Sequence, residues 1–264
     1  MKKNKAKLNN DFYSSFYQPH KRASFETKLL CSNLQGAMQT YVNGKRVLEI
    51  GFGSGTLLKQ ILNNQPVSYC GLEESKSALA NANRFLSDER VTLVTSLESI
   101  LEQQFDTVIM SNVIEHIEDD LGFLLSLKPL LVLNGNIILT FPTELDRDDN
   151  ALHFRTYNLD GFAHGIRDKL EAEIIQKRYL PPSFFTNFWR NLILFVGQGF
   201  RRSNEQGPEA IPEGQSVQGD GLITNIYFRL LVPFMLLMSN FDKLLCRIVK
   251  SQQGLIIFKF KQTS

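Results

Sequence analysis

The stretch Val47-Leu48-Glu49-Ile50-Gly51-Phe52-Gly53-Ser54-Gly55 constrains this chain more than any other. An apolar run stops abruptly at three glycines in alternate positions, and Thr56–Leu62 then continues with helical spacing. That order is a strand entering a tight turn and leaving as a helix. Glycines in such a turn accept backbone conformations closed to other residues and let a ligand approach bare main chain. A dinucleotide site needs G-x-G-x-x-G, with pyrophosphate resting on the helix N-terminus. Here the spacing is G-x-G-x-G, with Thr56 at the place of the third glycine.

The pattern after the loop repeats the same alternation. Lys45–Ile50, Val67–Leu72, Val91–Thr95, Phe105–Met110 and Asn136–Phe141 read as strands. Thr56–Leu62, Ser75–Leu86 and Asp119–Val132 read as helices between them. Strands alternating with helices of this length predict an α/β sheet with parallel strands, its regular part ending near residue 142. His153–Gly165 is aromatic and polar without clear period. Leu170–Leu180 and Gly254–Phe260 are further strand candidates. The divisions expected are an N-terminal helical or lid segment over 1–44, the sheet domain over 45–180, an apolar helical insertion over 181–250, and a returning strand over 251–264.

Charge distinguishes the ligands a glycine turn can take. Glu49 at the mouth of the first strand repels a pyrophosphate and attracts an ammonium group, on the ~4 kcal/mol scale of close charge pairs at intermediate dielectric. S-adenosylmethionine carries an amino acid moiety and a sulfonium, and no phosphate. Glu73, about 20 residues after the loop, fits the place of an acid that accepts ribose hydroxyls. Glu74 beside it reads as a first-turn helix acid.

With these residues in place, positions 47–141 resemble a class I S-adenosylmethionine-dependent methyltransferase of the small-molecule type. The matching pieces are VLEIGFGSG, GLEES, FDTVIMSNVIEHI and LKPLLVLNGNIILTFP. The last departs from the family's usual leucine, lysine, proline, Gly-Gly, since Asn134-Gly135 makes the turn. The resemblance implies a Rossmann-like, mostly parallel seven-stranded sheet flanked by helices, here with an extra apolar helical C-terminal region. It implies that Glu49 and the backbone at Gly51, Phe52, Gly53 and Gly55 hold the methionine part, and Glu73 the ribose. Ser96 and Leu97 match the adenine-contacting place, although the usual acid is missing at Ser96. Asn112 would face the methionine or sulfonium end.

Methyl transfer is an in-line displacement that depends above all on alignment; a hydroxyl acceptor also needs a base, commonly histidine. His116, just past the fourth strand, is the first candidate base. The competing reading is that Glu115 and His116 merely order this loop. Related RNA-end methyltransferases hold a metal with an E-x-x-E-H segment, but Asn112 replaces the first acid here, so no metal is expected. His153-Phe154-Arg155-Thr156-Tyr157 resembles an H-x-R-x-Y piece found after the fifth strand in relatives. His153 or Tyr157 would touch the acceptor and Arg155 an acidic group on it, with structural hydrogen bonding as the alternative for each. His20 and His164 are expected to be solvated.

Composition limits the partners. With 29 basic and 27 acidic residues, a net charge of +2 argues against nucleic acid as the main partner. Three scattered cysteines, Cys31, Cys70 and Cys246, form neither a disulfide framework nor a zinc site, so a reducing, cytoplasmic setting is expected. The N-terminus, with seven basic residues in its first thirty, lacks the apolar core of a secretory signal. Its aromatic cluster Phe12, Tyr13, Phe16 and Tyr17 has helical spacing and is expected to cap apolar surface. In the tail, Leu222–Met238 is apolar at 13 of 17 positions, with a polar stripe through Arg229. It reads as helix over the acceptor pocket or against a sister subunit, or, through 222–250, as peripheral contact with a membrane surface. The acceptor expected is a small molecule, a sugar or a lipid-linked compound, methylated on oxygen. A nicotinamide-dependent oxidoreductase and a non-catalytic membrane-associated scaffold are the competing functions.

Overall fold

The structure, a computed structural model, describes residues 25–53, 55–83, 87–146, 153–181 and 250–261, with isolated positions between 233 and 242. The first elements are α1 (Phe25–Tyr41), β1 (Arg46–Ile50), α2 (Thr56–Asn63), β2 (Ser68–Leu72), α3 (Lys76–Ala82) and β3 (Val91–Val94). They are followed by β4 (Phe105–Ser111), α4 (Asp120–Ser126), β5 (Leu131–Pro142), α5 (Leu159–Lys169), β6 (Ala172–Tyr179) and β7 (Gln253–Phe260). The strands form one seven-stranded sheet in the order β3-β2-β1-β4-β5-β7-β6. β7 alone runs against its neighbours, pairing antiparallel with both β5 and β6.

Both faces of the central strands are buried, which is why they read as continuous apolar runs rather than alternating ones. Leu48, Ile50, Val108, Met110, Ile137 and Leu139 face one core together with Leu124, Phe162 and Ile166 of α4 and α5. Val47, Tyr69, Ile109 and Ile138 face the other, against Leu34 and Met38 of α1 and Leu58 and Ile61 of α2. Each fully buried side chain of this kind contributes ~1.5–3 kcal/mol. α1 is thus built into the layer that covers the sheet.

Two expectations change. The expected helix over Asp119–Val132 ends at Ser126 and passes through a 3-10 turn, Lys128–Leu130, into β5. Pro129 offers no backbone N–H to continue the helix, and Leu131 pairs with Phe105. The register then jumps, Thr107 pairing with Asn136, so β5 carries a bulge between Leu131 and Asn136, with Asn134 left-handed at φ 61°. The second change is α5, within a stretch whose sequence shows no clear period. Asn158 caps it by accepting from the Gly161 N–H, and Leu159, Phe162, Ala163 and Ile166 line its buried face. The helix over Ser75–Leu86 is seen as Lys76–Ala82; residues 84–86 lie outside the described residues. The aromatic cluster at 12–17, His20, Arg229 and nearly all of 181–250 also lie outside them.

The parallel strands leave their carboxyl ends at one edge, where open α/β sheets gather ligands. β6 ends and β7 begins at that edge. Leu180 N–H donates to the Gln253 carbonyl at 2.9 Å, and Thr143 at the end of β5 donates through its hydroxyl to the Ser251 carbonyl at 2.6 Å. The long segment between Pro181 and Lys250 therefore leaves and rejoins the sheet beside its carboxyl edge. Among the described residues, no helix is long and apolar enough to cross a membrane.

Candidate functional site at the carboxyl edge of the sheet

The turn after β1 is made of left-handed glycines: Gly51 at φ 73°, Gly53 at 51° and Gly55 at 71°. Gly51 is fixed twice over, because a Cβ there would also lie 2.5 Å from Val113 Cγ2 in the loop after β4. The two loops thus touch through a glycine with no room for a side chain. Gly55 supplies the N-cap residue of α2.

Beneath the turn lies Glu49, 2% exposed. Its Oε2 accepts a 2.7 Å hydrogen bond from the Tyr69 hydroxyl on β2. Burial pushes its carboxyl up to about 7; the Tyr69 bond pulls it down and the charge of Glu73 pushes it further up. Gly71 makes the close approach possible, since a Cβ there would lie 2.8 Å from the Tyr69 hydroxyl and 2.7 Å from Phe52 Cδ1. The sequence does not mark Tyr69, and marks Gly71 only as the first residue of GLEES. Their signal is cross-strand: Glu49 stands opposite Gly71, and spacing along one chain carries no register.

Glu73 lies just past β2, as expected, and already has partners. Its two oxygens accept from the Gly53 and Ser75 amides, each at 3.0 Å, tying the glycine turn to the start of α3. Burial raises its pKa and these amide bonds oppose the rise. Ser96 precedes a 3-10 turn, Leu97–Ile100, beyond β3; its carbonyl accepts from the Ser99 hydroxyl, and Leu97 packs on the core.

Across from the glycine turn, Asn112 is left-handed at φ 53° and donates its amide N–H to the Thr140 carbonyl at 3.0 Å. Its Oδ1 is buried with no hydrogen-bond partner. Ile114–His116 form a 3-10 turn in which Glu115 is 1% exposed and its Oε2 unpartnered. Burial pushes Glu115 up to about 8, opposed by its own backbone N–H, with the charge of Asp146 adding to the rise. The residues after β5 return to this turn. Phe154 N–H donates to the Glu115 carbonyl at 2.8 Å, and the rings of His153 and His116 sit edge-to-face with centroids 4.9 Å apart.

Tyr157 and Arg155 do something different. Tyr157 is buried, and its hydroxyl lies 3.0 Å from Asp120 Oδ2 and 3.1 Å from the Ile114 carbonyl. Arg155 pairs with the same Asp120 oxygen at 2.6 Å and donates to the Glu118 carbonyl. These contacts match the structural alternative for both residues and clamp the 112–120 loop to the segment after β5. Asp120, the hub of the clamp, was missed from sequence. His164 is exposed and meets Asp168 at 2.8 Å, far along α5 from this cluster.

A turn of left-handed glycines, a buried carboxyl group and an orphaned amide oxygen form a set rich in acceptors. Its acids suit an ammonium-bearing ligand better than a pyrophosphate. The residues fit S-adenosylmethionine.

Residues 48–137 match the family model described as a methyltransferase domain. A tRNA U34 carboxymethyltransferase from Dichelobacter nodosus (strain VCS1703A) is 30% identical over 102 residues, 37% of this chain. The match spans about a third (33%) of that relative's length. Among solved structures, the [4+2]-cyclase SpnF superposes with a TM-score of 0.56 at 12% identity, covering 94% of this chain and 86% of that one. An S-adenosylmethionine-dependent methyltransferase from Mesorhizobium loti superposes at 0.50 and 16% identity, covering 85% and 94%. At such identities the superpositions speak for the fold, and one fold hosts many reactions. On the matched segment, the sheet order around it and the glycine turn that opens it, this chain carries a class I S-adenosylmethionine-dependent methyltransferase domain.

Proposed function

We propose that this protein transfers a methyl group from S-adenosylmethionine to a small-molecule, sugar or lipid-linked acceptor, on oxygen. The observation that carries the reading is the meeting of two loops, Gly51 packed directly against Val113 at the sheet's carboxyl edge. It joins the acceptor-rich cradle of Glu49, Glu73 and Asn112 to the loop that bears His116. When bound, the sulfonium supplies a methyl carbon already activated toward displacement. The backbone of Gly51, Phe52, Gly53 and Gly55, with Glu49 and Asn112, holds the methionine part. Glu73 offers its remaining lone pairs to the ribose, and Ser96 and Leu97 border the adenine. His116 or His153 takes the proton from the acceptor hydroxyl, while Tyr157 and Arg155 hold their loops in place as positioning residues.

The segment 181–250 is the acceptor cap in this reading, supported by its departure and return at the carboxyl edge. In the same reading, residues 1–44 are an N-terminal helical or lid segment, 45–180 the cofactor-binding part and 251–264 the returning strand. Peripheral membrane contact through 222–250 and packing of that segment against a second copy are alternative uses of it, and a cytoplasmic location belongs to the same proposal. Liposome flotation with and without residues 222–250 tests the membrane contact.

The decisive experiment incubates the protein with isotopically labelled S-adenosylmethionine and separated RNA, lipid and small-molecule fractions of a cell extract. Label in the lipid or small-molecule fraction supports the reading. Label confined to RNA favours an acceptor like that named for the Dichelobacter relative and overturns it.

A further inference from the structure

Glu115, His116 and His153 each present one ligand atom, and these atoms lie within 4.8 Å of one another. The chain brings them together by two local devices. A 3-10 turn sets Glu115 and His116 side by side, and the Phe154 N–H bonded to the Glu115 carbonyl delivers His153 from beyond β5. A second observation points to a ligand. Glu115 is 1% exposed, and its Oε2 is buried without a hydrogen-bond partner. A buried carboxylate oxygen left bare is costly and usually marks a missing ion or water.

We propose that Glu115, His116 and His153 bind a divalent transition-metal ion, zinc before others. Two imidazoles and one carboxylate suit zinc, and three protein ligands leave a coordination position open. Magnesium prefers an all-oxygen shell and is disfavoured here. Around zinc, ligand atoms stand ~3.4 Å apart, from metal–ligand bonds of about 2.1 Å. Binding therefore requires the three atoms to close from within 4.8 Å to that spacing. No metal is expected from the sequence, because Asn112 replaces an acid; the fold brings His153 to Glu115 and His116 from a different segment. The site itself rests on this geometry. Its use in the reaction rests on the transfer reaction proposed above. With the ion bound, the two imidazoles act as ligands in place of a base. The acceptor hydroxyl takes the open position, and its proton, made more acidic by the ion, passes to solvent water.

The full chain, stripped with a chelator and dialysed, is titrated calorimetrically with zinc, manganese and magnesium chloride. Cobalt(II) is added separately and read by visible absorption. Wild type is expected to bind one zinc and to give the absorption of cobalt held by nitrogen and oxygen ligands. Glu115→Gln and His153→Gln, shown to be folded by circular dichroism, each weaken zinc at least tenfold. No heat with zinc and no cobalt spectrum in wild type overturn the site, as does unchanged affinity in both variants or binding of magnesium alone. S-adenosylhomocysteine is titrated in parallel. Its binding without zinc binding removes the metal and leaves the cofactor site standing; zinc binding without it does the reverse.

Discussion

The two sides of the sheet edge are built by different means. On the glycine side, the shape comes from main chain: three left-handed glycines, and a Gly71 that lets the Tyr69 hydroxyl reach Glu49. On the histidine side, the shape comes from long-range ties between two loops, through Phe154 to Glu115 and through Tyr157 and Arg155 to Asp120. A main-chain cradle tolerates almost no substitution and recognises one kind of ligand. A clamp of side chains keeps its frame while the residues facing the acceptor change. That contrast suits an enzyme family with a constant cofactor and variable acceptors.

Gly51→Ala tests the first half most severely. Left-handed alanine costs ~1–2 kcal/mol, and overlap with Val113 adds ~1–3 kcal/mol. Chemical denaturation is expected to show the sum, with S-adenosylhomocysteine binding lost in calorimetry. Next in size is Glu49→Gln, expected to weaken that ligand more than ~tenfold through loss of a charge partner.

Its pH dependence sharpens the test. Because burial holds the Glu49 carboxyl near 7, raising pH from 6 to 8 converts it from mostly neutral to mostly ionised. Affinity for the cationic cofactor rises over that window in wild type and stays flat in Glu49→Gln. Stability of the ligand-free protein moves the other way. The folded state binds the Glu49 proton more tightly than the unfolded chain does, so this group's contribution falls as pH rises from about 4.5 to about 7.

Tyr157→Phe probes the clamp. Losing its buried hydroxyl is expected to cost ~1–3 kcal/mol, while affinity for S-adenosylhomocysteine stays within about threefold. A large loss of affinity would erase the proposed separation of the two sides. Asp106→Asn, at the opposite edge, removes an exposed pair with Arg46 and is expected to change stability by less than ~0.5 kcal/mol.

The sequence made the glycine side legible for a physical reason. Left-handed turns demand glycine, and buried parallel strands demand short apolar runs, so both leave marks at fixed spacing. Glu49 and Glu73 stood out as acids where apolar strands end. The partner of Glu49 did not, because Tyr69 is placed by strand register. α5 was hidden by His164, Gly161 and Gly165, which dilute a buried face of only four residues. The β5 boundary was hidden because Leu127, Leu130 and Leu131 are buried whether the backbone is helix or strand. The juxtaposition of Glu115 with His153 was hidden most deeply, since only the fold joins segments on either side of β5.

One titration bears most directly on the glycine cradle as a seat for a cation-bearing cofactor: calorimetry of the full chain with S-adenosylhomocysteine and, separately, with NAD. One bound S-adenosylhomocysteine and no heat with NAD are expected. Binding of NAD, or of neither compound, would contradict it.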